Sequence, residues 1–274
     1  MPVINTNTAA NSAVKYLNIN AAQESSSLGK LSSGSKITKA SDDAAGLAIS
    51  TRISSDITTL QQAATNASQA TSILQTADGG ASNISDILAR MKSLASESAS
   101  GTVTDSSRTY INSEFTELTS EIDSIATGTR YSGQSLLDGS SSFASGVSVL
   151  VGSSASDTIT VKLTSLTSST LGITSLDIST QDGATSALTT LDDAIDTVSA
   201  ARATIGAQES RFNFSASSIS TQTENLQSAN SAITDVDIAA EQAKLSSAEV
   251  KTQAAVSAES AANKMPQYLL NLLG

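Results

Sequence analysis

Carboxylates and hydroxyls are the groups left to do chemistry in this chain, which contains no His, no Cys and no Trp. A Ser–His–Asp relay, a thiolate nucleophile and an ordinary zinc or copper site each need a residue that is missing. The acids present do not group into a site. Asp192, Asp193 and Asp196 span one helical turn and read as a solvated face. Asp235-Val236-Asp237 lacks the alternating oxygen ligands and central glycine of a calcium loop. The Asn-x-Ser matches at Asn66, Asn83 and Asn213 fall in helical patterns and are discounted as modification sites. No catalytic residue, metal or cofactor is expected, and an enzyme is the least favoured class.

The sequence is instead organised around long apolar seams. From Leu188 the positions Leu191, Ile195, Val198, Arg202, Ile205, Glu209, Phe212, Ala216, Ile219, Thr223, Leu226, Asn230 and Ile233 follow in alternating threes and fours. That repeat keeps one stripe of an α-helix against a partner, and the helix would be roughly 70 Å long at about 1.5 Å per residue. Arg202, Glu209 and Asn230 are polar seam positions suited to setting register against a facing helix, with snorkelling at the rim as the alternative. The chain has 274 residues, 3% aromatic and 15% charged, with a formal charge of −11. That balance makes nucleic acid and anionic membrane poor partners. No apolar run approaches the roughly 18 residues of a membrane span. The segment from Met1 to Asn5 has neither a basic start nor an apolar run, so a route that cuts no leader is expected.

Other elements follow from the same patterns. A weaker stripe, Ala10, Val14, Leu17, Ala21, Glu24, Leu28 and Leu31, predicts an N-terminal helix that sets firmly only against a partner, with Gly34 as its stop. Ser41, Asp42 and Asp43 predict a new helix start. Ile53, Ile57, Leu60, Leu74, Ile84 and Leu88 then place one helix over about 44–99, softened at Gly79-Gly80. Phe115, Leu118 and Ile122 mark a shorter helix, and the alternations Val147/Val149/Val151 and Ile159/Val161/Leu163 predict a β-hairpin. Residues 164–183 read as irregular. A last helix covers about 238–263 around Leu245. The fold class is mainly α: a long antiparallel helical bundle or coiled coil of the two chain arms, with a small β-hairpin region between them.

The chain resembles the bacterial flagellins. Leu28-Gly29-Lys30-Leu31-Ser32-Ser33-Gly34-Ser35-Lys36-Ile37, followed by Ala40-Ser41-Asp42-Asp43-Ala44-Ala45-Gly46-Leu47-Ala48-Ile49, is similar to that family's most characteristic segment. Tyr131-Ser132-Gly133 and Leu136-Leu137-Asp138-Gly139 fit as well. So do Arg202-Ala203-Thr204-Ile205-Gly206-Ala207-Gln208, Ser231-Ala232-Ile233-Thr234-Asp235-Val236-Asp237 and the Pro266-Gln267 ending. The resemblance implies an inner terminal coiled-coil domain from 1–43 and 236–274, and a helical rod domain from 44–235 with its hairpin around 145–165. Only about 141–183 lies between the matched arms, which leaves no separate outer domain.

By resemblance the protein is a structural subunit that self-assembles into the flagellar filament for swimming. It would be exported by the flagellar type III apparatus and polymerised at the tip. Val14, Leu17, Leu28, Leu31, Leu245, Leu269, Leu270, Leu272 and Leu273 would serve polymerisation and the terminal coiled coil. The four tail leucines would also be the handle of an export chaperone. Leu191, Ile195, Val198, Ile205, Phe212, Ile219, Leu226 and Ile233 would pack the rod with the residues of the two preceding helices. Cap and hook-junction proteins are further implied partners. Arg90, Leu94 and Glu114 match a contact made with a Toll-like innate receptor, with Lys92 and Ser93 standing where relatives carry Arg and Glu. A hook–filament junction protein and a secreted helical binding module are the rival readings.

Overall fold

Short polar side chains start several of the helices, and a glycine stops the first. In the computed structural model, which describes residues 6–273, α1 (Thr8–Ser33) begins where the Asn7 side chain accepts the Ala10 N–H at 3.0 Å. It ends at Gly34, whose φ of 69° suits a residue without Cβ. Asp43 accepts the Gly46 N–H at 2.9 Å and opens α2 (Ala44–Ala99). Thr104 caps α3 (Asp105–Gly128). The two-residue strands β1 (Arg130–Tyr131) and β2 (Gln134–Ser135) pair around Ser132 (φ 49°) and Gly133 (φ 82°). This small hairpin lay in no sequence pattern, because two residues per strand cannot show an alternation. A single turn, α4 (Ser142–Ser145), leads to β3 (Val147–Leu150) and β4 (Thr158–Val161). The longer hairpin forms as expected, and in its register Val147 faces Val161 and Val149 faces Ile159. The last elements are α5 (Gln181–Thr234) and α6 (Ile238–Leu273). The latter starts on the Asp237 cap and runs about ten residues past its expected end at 263, through Pro266, which costs the helix one backbone bond.

Two compact units result, 1–55 with 225–274 and 56–224. The divisions fall inside α2 and α5, about ten residues beyond the helix breaks chosen from sequence at 43/44 and 235/236.

In the first unit α1 and α6 pack antiparallel. Asn7 donates to the Ala262 carbonyl at 2.8 Å at one end, and Ser27 donates to Glu241 at 2.8 Å at the other. The facing line on α1 is Ala10, Ala13, Leu17, Asn20, Glu24, Ser27 and Leu31; on α6 it is Glu241, Leu245, Ala248, Thr252, Ala255, Glu259 and Ala262. Three of the seven stripe positions read from sequence are therefore displaced by one residue. Ala10, Leu17, Glu24 and Leu31 are shared, but Ala13, Asn20 and Ser27 take the places given to Val14, Ala21 and Leu28. Small side chains let two helices approach closely, and this pair uses them while its larger neighbours point away. Between helices, the Lys36 N–H donates to the Thr234 carbonyl and the Val236 N–H to the Gly34 carbonyl.

In the second unit α2, α3 and α5 share one core with the hairpins and the segment after them. Asp78 pairs with Arg202 and Lys92 with Asp192, so α2 and α5 run antiparallel. The same one-position shift recurs on α5. Leu191, Val198, Ile205, Phe212 and Ile219 are buried as expected, but Ala187, Ala194, Ala201 and Gln208 fill the alternate places. Leu188, Ile195 and Ala216 flank that line, half-buried. Leu60, Leu74, Ile84, Leu88, Phe115 and Ile122 are core residues, and Leu118 packs beside them. Ile57 is half-buried, and so are Ile53, Leu226 and Ile233, which fall in the first unit.

Gly80 is not a soft spot. A Cβ there would lie 2.9 Å from Leu137 Cδ1, 2.9 Å from Thr129 Cγ2 and nearer still to Thr129 Oγ1, whereas one at Gly79 would meet nothing within 4 Å. The irregular stretch is also core, since Leu166, Leu171, Ile173 and Ile178 are buried. Asp123 anchors it by accepting from the Ser168 N–H (2.8 Å) and hydroxyl (2.7 Å). Arg108 closes the α2–α3 turn by donating to the Ser98 and Ser100 carbonyls at 2.7 and 2.8 Å.

Candidate functional site

The surface of the chain divides as its units do. The first unit holds eight basic and eight acidic residues and is neutral; the second holds seven basic and eighteen acidic, and so carries the whole net charge of −11. Exposed large apolar side chains divide the other way. Among the described residues ten belong to the first unit and two to the second. Val14, Tyr16, Ile19 and Leu28 stand out from α1, and Ile238, Val250, Val256, Met265 and Tyr268 from α6. A neutral surface with that apolar content is suited to burial against further protein.

The interior of the α1–α6 pair is thin and polar at intervals. Glu241 is only 4% exposed and accepts from Ser27 at 2.8 Å and from Lys244 at 2.9 Å. The Lys244 hydrogen bond first, and the Ser27 hydroxyl second, hold its carboxyl below the ordinary glutamate range. Thr252 reaches Glu24 across the same pair at 3.4 Å. Nearby, the Thr38 and Lys39 N–H groups and the Thr38 hydroxyl donate to Asp42 at 3.0 Å each. Those bonds, the Thr38 N–H foremost, lower its carboxyl likewise and fix the loop before α2.

The sequence-derived assembly residues separate accordingly. Leu17, Leu31 and Leu245 face the partner helix, whereas Val14 and Leu28 are 37% and 58% exposed. The side chains of Leu269, Leu270, Leu272 and Leu273 lie outside the described residues, although α6 reaches Leu273. Of the polar seam positions, Arg202 meets the register role: its Nε and Nη2 donate to the two Asp78 oxygens at 2.9 and 3.3 Å. That contact raises the guanidinium pKa. Glu209 and Asn230 do not match it, since Glu209 Oε1 and Asn230 Oδ1 are buried without a partner among the described residues. The receptor trio does not form one face. Leu94 is 2% exposed within the core, and Arg90 and Glu114 are paired with each other at 2.7 Å.

Sequence reasoning missed Gln208. Its amide accepts from the Lys162 N–H at 3.1 Å and donates to the Lys162 carbonyl at 2.9 Å, docking the end of β4 on α5 as a neighbouring strand would. A polar residue on the buried line of the heptad was its only signal. Among the described residues no group of acidic side chains is arranged to hold a metal ion, and no helix is long and apolar enough to cross a membrane.

A family model described as the bacterial flagellin N-terminal helical region matches residues 4–142, and one described as the bacterial flagellin C-terminal helical region matches 188–273. The chain is similar to a flagellin of Halalkalibacterium halodurans, with 34% identity over 273 residues covering 99% of both chains. It is similar in structure to Bacillus cereus flagellin, with a TM-score of 0.52 and 30% identity over 61% of this chain and 94% of that one. A protein described as a flagellar hook-associated protein of Vibrio parahaemolyticus matches with a TM-score of 0.58 over 70% of this chain and 99% of that one. At 14% identity it speaks for the fold alone.

Proposed function

Because this chain belongs to the bacterial flagellin family, and is thereby a structural subunit of the flagellar filament and not an enzyme, we propose that its terminal unit makes the contacts between copies. The observation that carries this reading is the partition of the surface: among the described residues, ten exposed large apolar side chains on a neutral unit and two on the unit that bears all the net charge. Burial of such a surface in a homopolymer removes apolar area from water, and its neutrality spares the repulsion that stacked acidic surfaces would suffer. α1 and α6 meet through Leu17, Leu31 and Leu245 set among small and polar residues, with Val14, Ile19, Leu28 and Val250 turned outward, so the pair is marginal alone and completed by neighbouring copies. Before assembly the same apolar surface needs cover. In this reading an export chaperone holds the C-terminal segment through Leu269, Leu270, Leu272 and Leu273, and the subunit leaves through the flagellar export channel. It adds at the distal tip beneath a cap protein, the first copies resting on hook-junction proteins.

Seeded assembly tests the reading. Purified monomer is mixed with short filament fragments and viewed by electron microscopy, beside a Val14→Asp/Leu28→Asp variant whose helix content and melting are measured in parallel. The natural chain should elongate the seeds, and the variant should stay monomeric with its second unit folded. Normal filaments from the variant would remove the terminal unit from the contacts between copies.

A further inference from the structure

We propose that Asn7 and Pro266 together set the register of α1 on α6. The proposal rests on the reading of the terminal unit above and names the device that aligns its two helices.

The α1–α6 seam is poorly suited to choosing its own alignment. Ala10 and Ala13 on one side, and Ala248, Ala255 and Ala262 on the other, are alike, so sliding one helix by a turn exchanges like for like. Register then has to come from a group that fits in one place. A proline creates such a place. In an α-helix each N–H donates to the carbonyl four residues earlier, and proline has no N–H. Pro266 lies within α6, so the carbonyl left without that donor is the one of Ala262. Ala262 is 6% exposed, and a buried carbonyl without a partner costs as much as a lost hydrogen bond. Asn7 Nδ2 donates to this carbonyl at 2.8 Å.

The same side chain serves α1 at once. Its Oδ1 accepts the Ala10 N–H at 3.0 Å and caps that helix. A primary amide suits both tasks, because it carries an acceptor and a donor on one planar group. Aspartate would cap as well but has no donor, and serine would cap but ends one atom short. One residue thus satisfies an orphan donor of one helix and an orphan carbonyl of the other. Ser27–Glu241 and Thr252–Glu24 join pairs of side chains, whereas Asn7 grips backbone and so reads axial position. A slip of one turn would carry Asn7 about 5 Å from Ala262, to carbonyls already bonded within α6.

A double-mutant cycle tests the pairing. Asn7→Asp, Pro266→Ala and the double substitution are compared with the natural chain in elongating natural seeds. Asn7→Asp keeps the cap and loses the donor, and should raise the critical concentration about fivefold, the worth of one hydrogen bond. Pro266→Ala returns an N–H to the Ala262 carbonyl. In that background Asn7→Asp should change the critical concentration less than about twofold. Asn7→Ser, which is uncharged, should follow the same pattern and so separates a missing donor from an added charge. Equal effects in both backgrounds would overturn the proposal. Hydrogen exchange on the same chains, assembled or not, keeps the two readings apart. Asn7→Asp should hasten exchange around residues 255–262 of α6, and Pro266→Ala should abolish that response. Seeds left unelongated by the natural chain would sink the polymer reading, with the exchange cycle still deciding the pairing. An α6 whose exchange ignores Asn7→Asp would defeat the register role, with filaments or without.

Discussion

Gly79 and Gly80 are adjacent on α2 yet should answer the same substitution with opposite signs. Replacing either by Ala gains about 1 kcal/mol of helix propensity. At position 79 the new methyl meets nothing within 4 Å, so Gly79→Ala should be stabilising by about that amount. At position 80 it would sit 2.9 Å from Leu137 Cδ1 and from Thr129 Cγ2. Neither neighbour yields easily. Leu137 is 1% exposed, and the Thr129 hydroxyl donates to the Ile125 carbonyl at 2.7 Å where α3 ends. Overpacking of this kind costs about 1–3 kcal/mol, so Gly80→Ala should be neutral or destabilising by up to about 2 kcal/mol after the propensity gain. The difference between the two variants isolates the packing cost, and at about 2–4 °C per kcal/mol it is readable in a thermal melt. Urea unfolding followed by circular dichroism gives the same quantity. Thr129→Ala, which removes the nearest atoms, should restore most of the stability of Gly80→Ala. Equal stability of Gly79→Ala and Gly80→Ala would refute the argument that close approach of α2 to the α3 exit requires a glycine.

Three further outcomes are expected. The folded state holds the Glu241 carboxyl below its unfolded value of about 4.3, so its contribution is present above that pH and is lost as pH falls through the folded value. Glu241→Gln should therefore cost less than about 1 kcal/mol near neutrality, because Lys244 is exposed, and progressively less as pH falls below the unfolded value; a difference that does not change with pH would contradict this. Gln208→Leu leaves the Lys162 N–H and carbonyl without their partner, and should cost about 1–3 kcal/mol with faster hydrogen exchange at the Lys162 amide; an unchanged exchange rate would count against the docking role. A double-mutant cycle on Asp78→Ala and Arg202→Ala should give a coupling of no more than about 1 kcal/mol, since both side chains are 39% exposed; a much larger value would mean the pair is shielded from solvent.

Helix existence is legible because the threes and fours of Leu191, Ile195, Val198, Arg202, Ile205, Glu209 and Phe212 admit no other period. The caps at Asp43 and Gly34 were legible from residue type alone. The face of each helix was less so. Where Ala and Ser are abundant, the rule that larger apolar residues point inward loses its grip: Val14 and Leu28 were chosen over Ala13 and Ser27, and Leu188 and Ile195 over Ala187 and Ala194. In both cases the error is one position, because every second seam residue is shared between the two readings. Gly80 misled for a related reason, since sequence shows what a glycine costs its helix and not what passes over it. The core role of Leu166, Leu171, Ile173 and Ile178 was hidden because a segment without a period carries no signal of which side chains turn inward. Leu94 shows the limit of transferring a contact by motif. The residue type matches, although Lys92 and Ser93 beside it do not, and its side chain is in the core.

The Gln208 amide bonds both backbone groups of Lys162, so the register of the long hairpin and the axial position of α5 are a single setting. A slip of one residue along β4 would point the next peptide to the opposite side, and the amide would lose both bonds at once. At the far end Asn66 on α2 donates to the Leu150 carbonyl at 3.2 Å and Gly152 is buried, so the unconstrained tip is the exposed stretch 153–157 beyond them. Added length is consequently absorbed at the tip without disturbing the helix, whereas one residue inserted between Val161 and Lys162 would break the anchor. The ribbon is tethered at its root and open at its crown, the arrangement of a scaffold able to carry passenger segments of varied length.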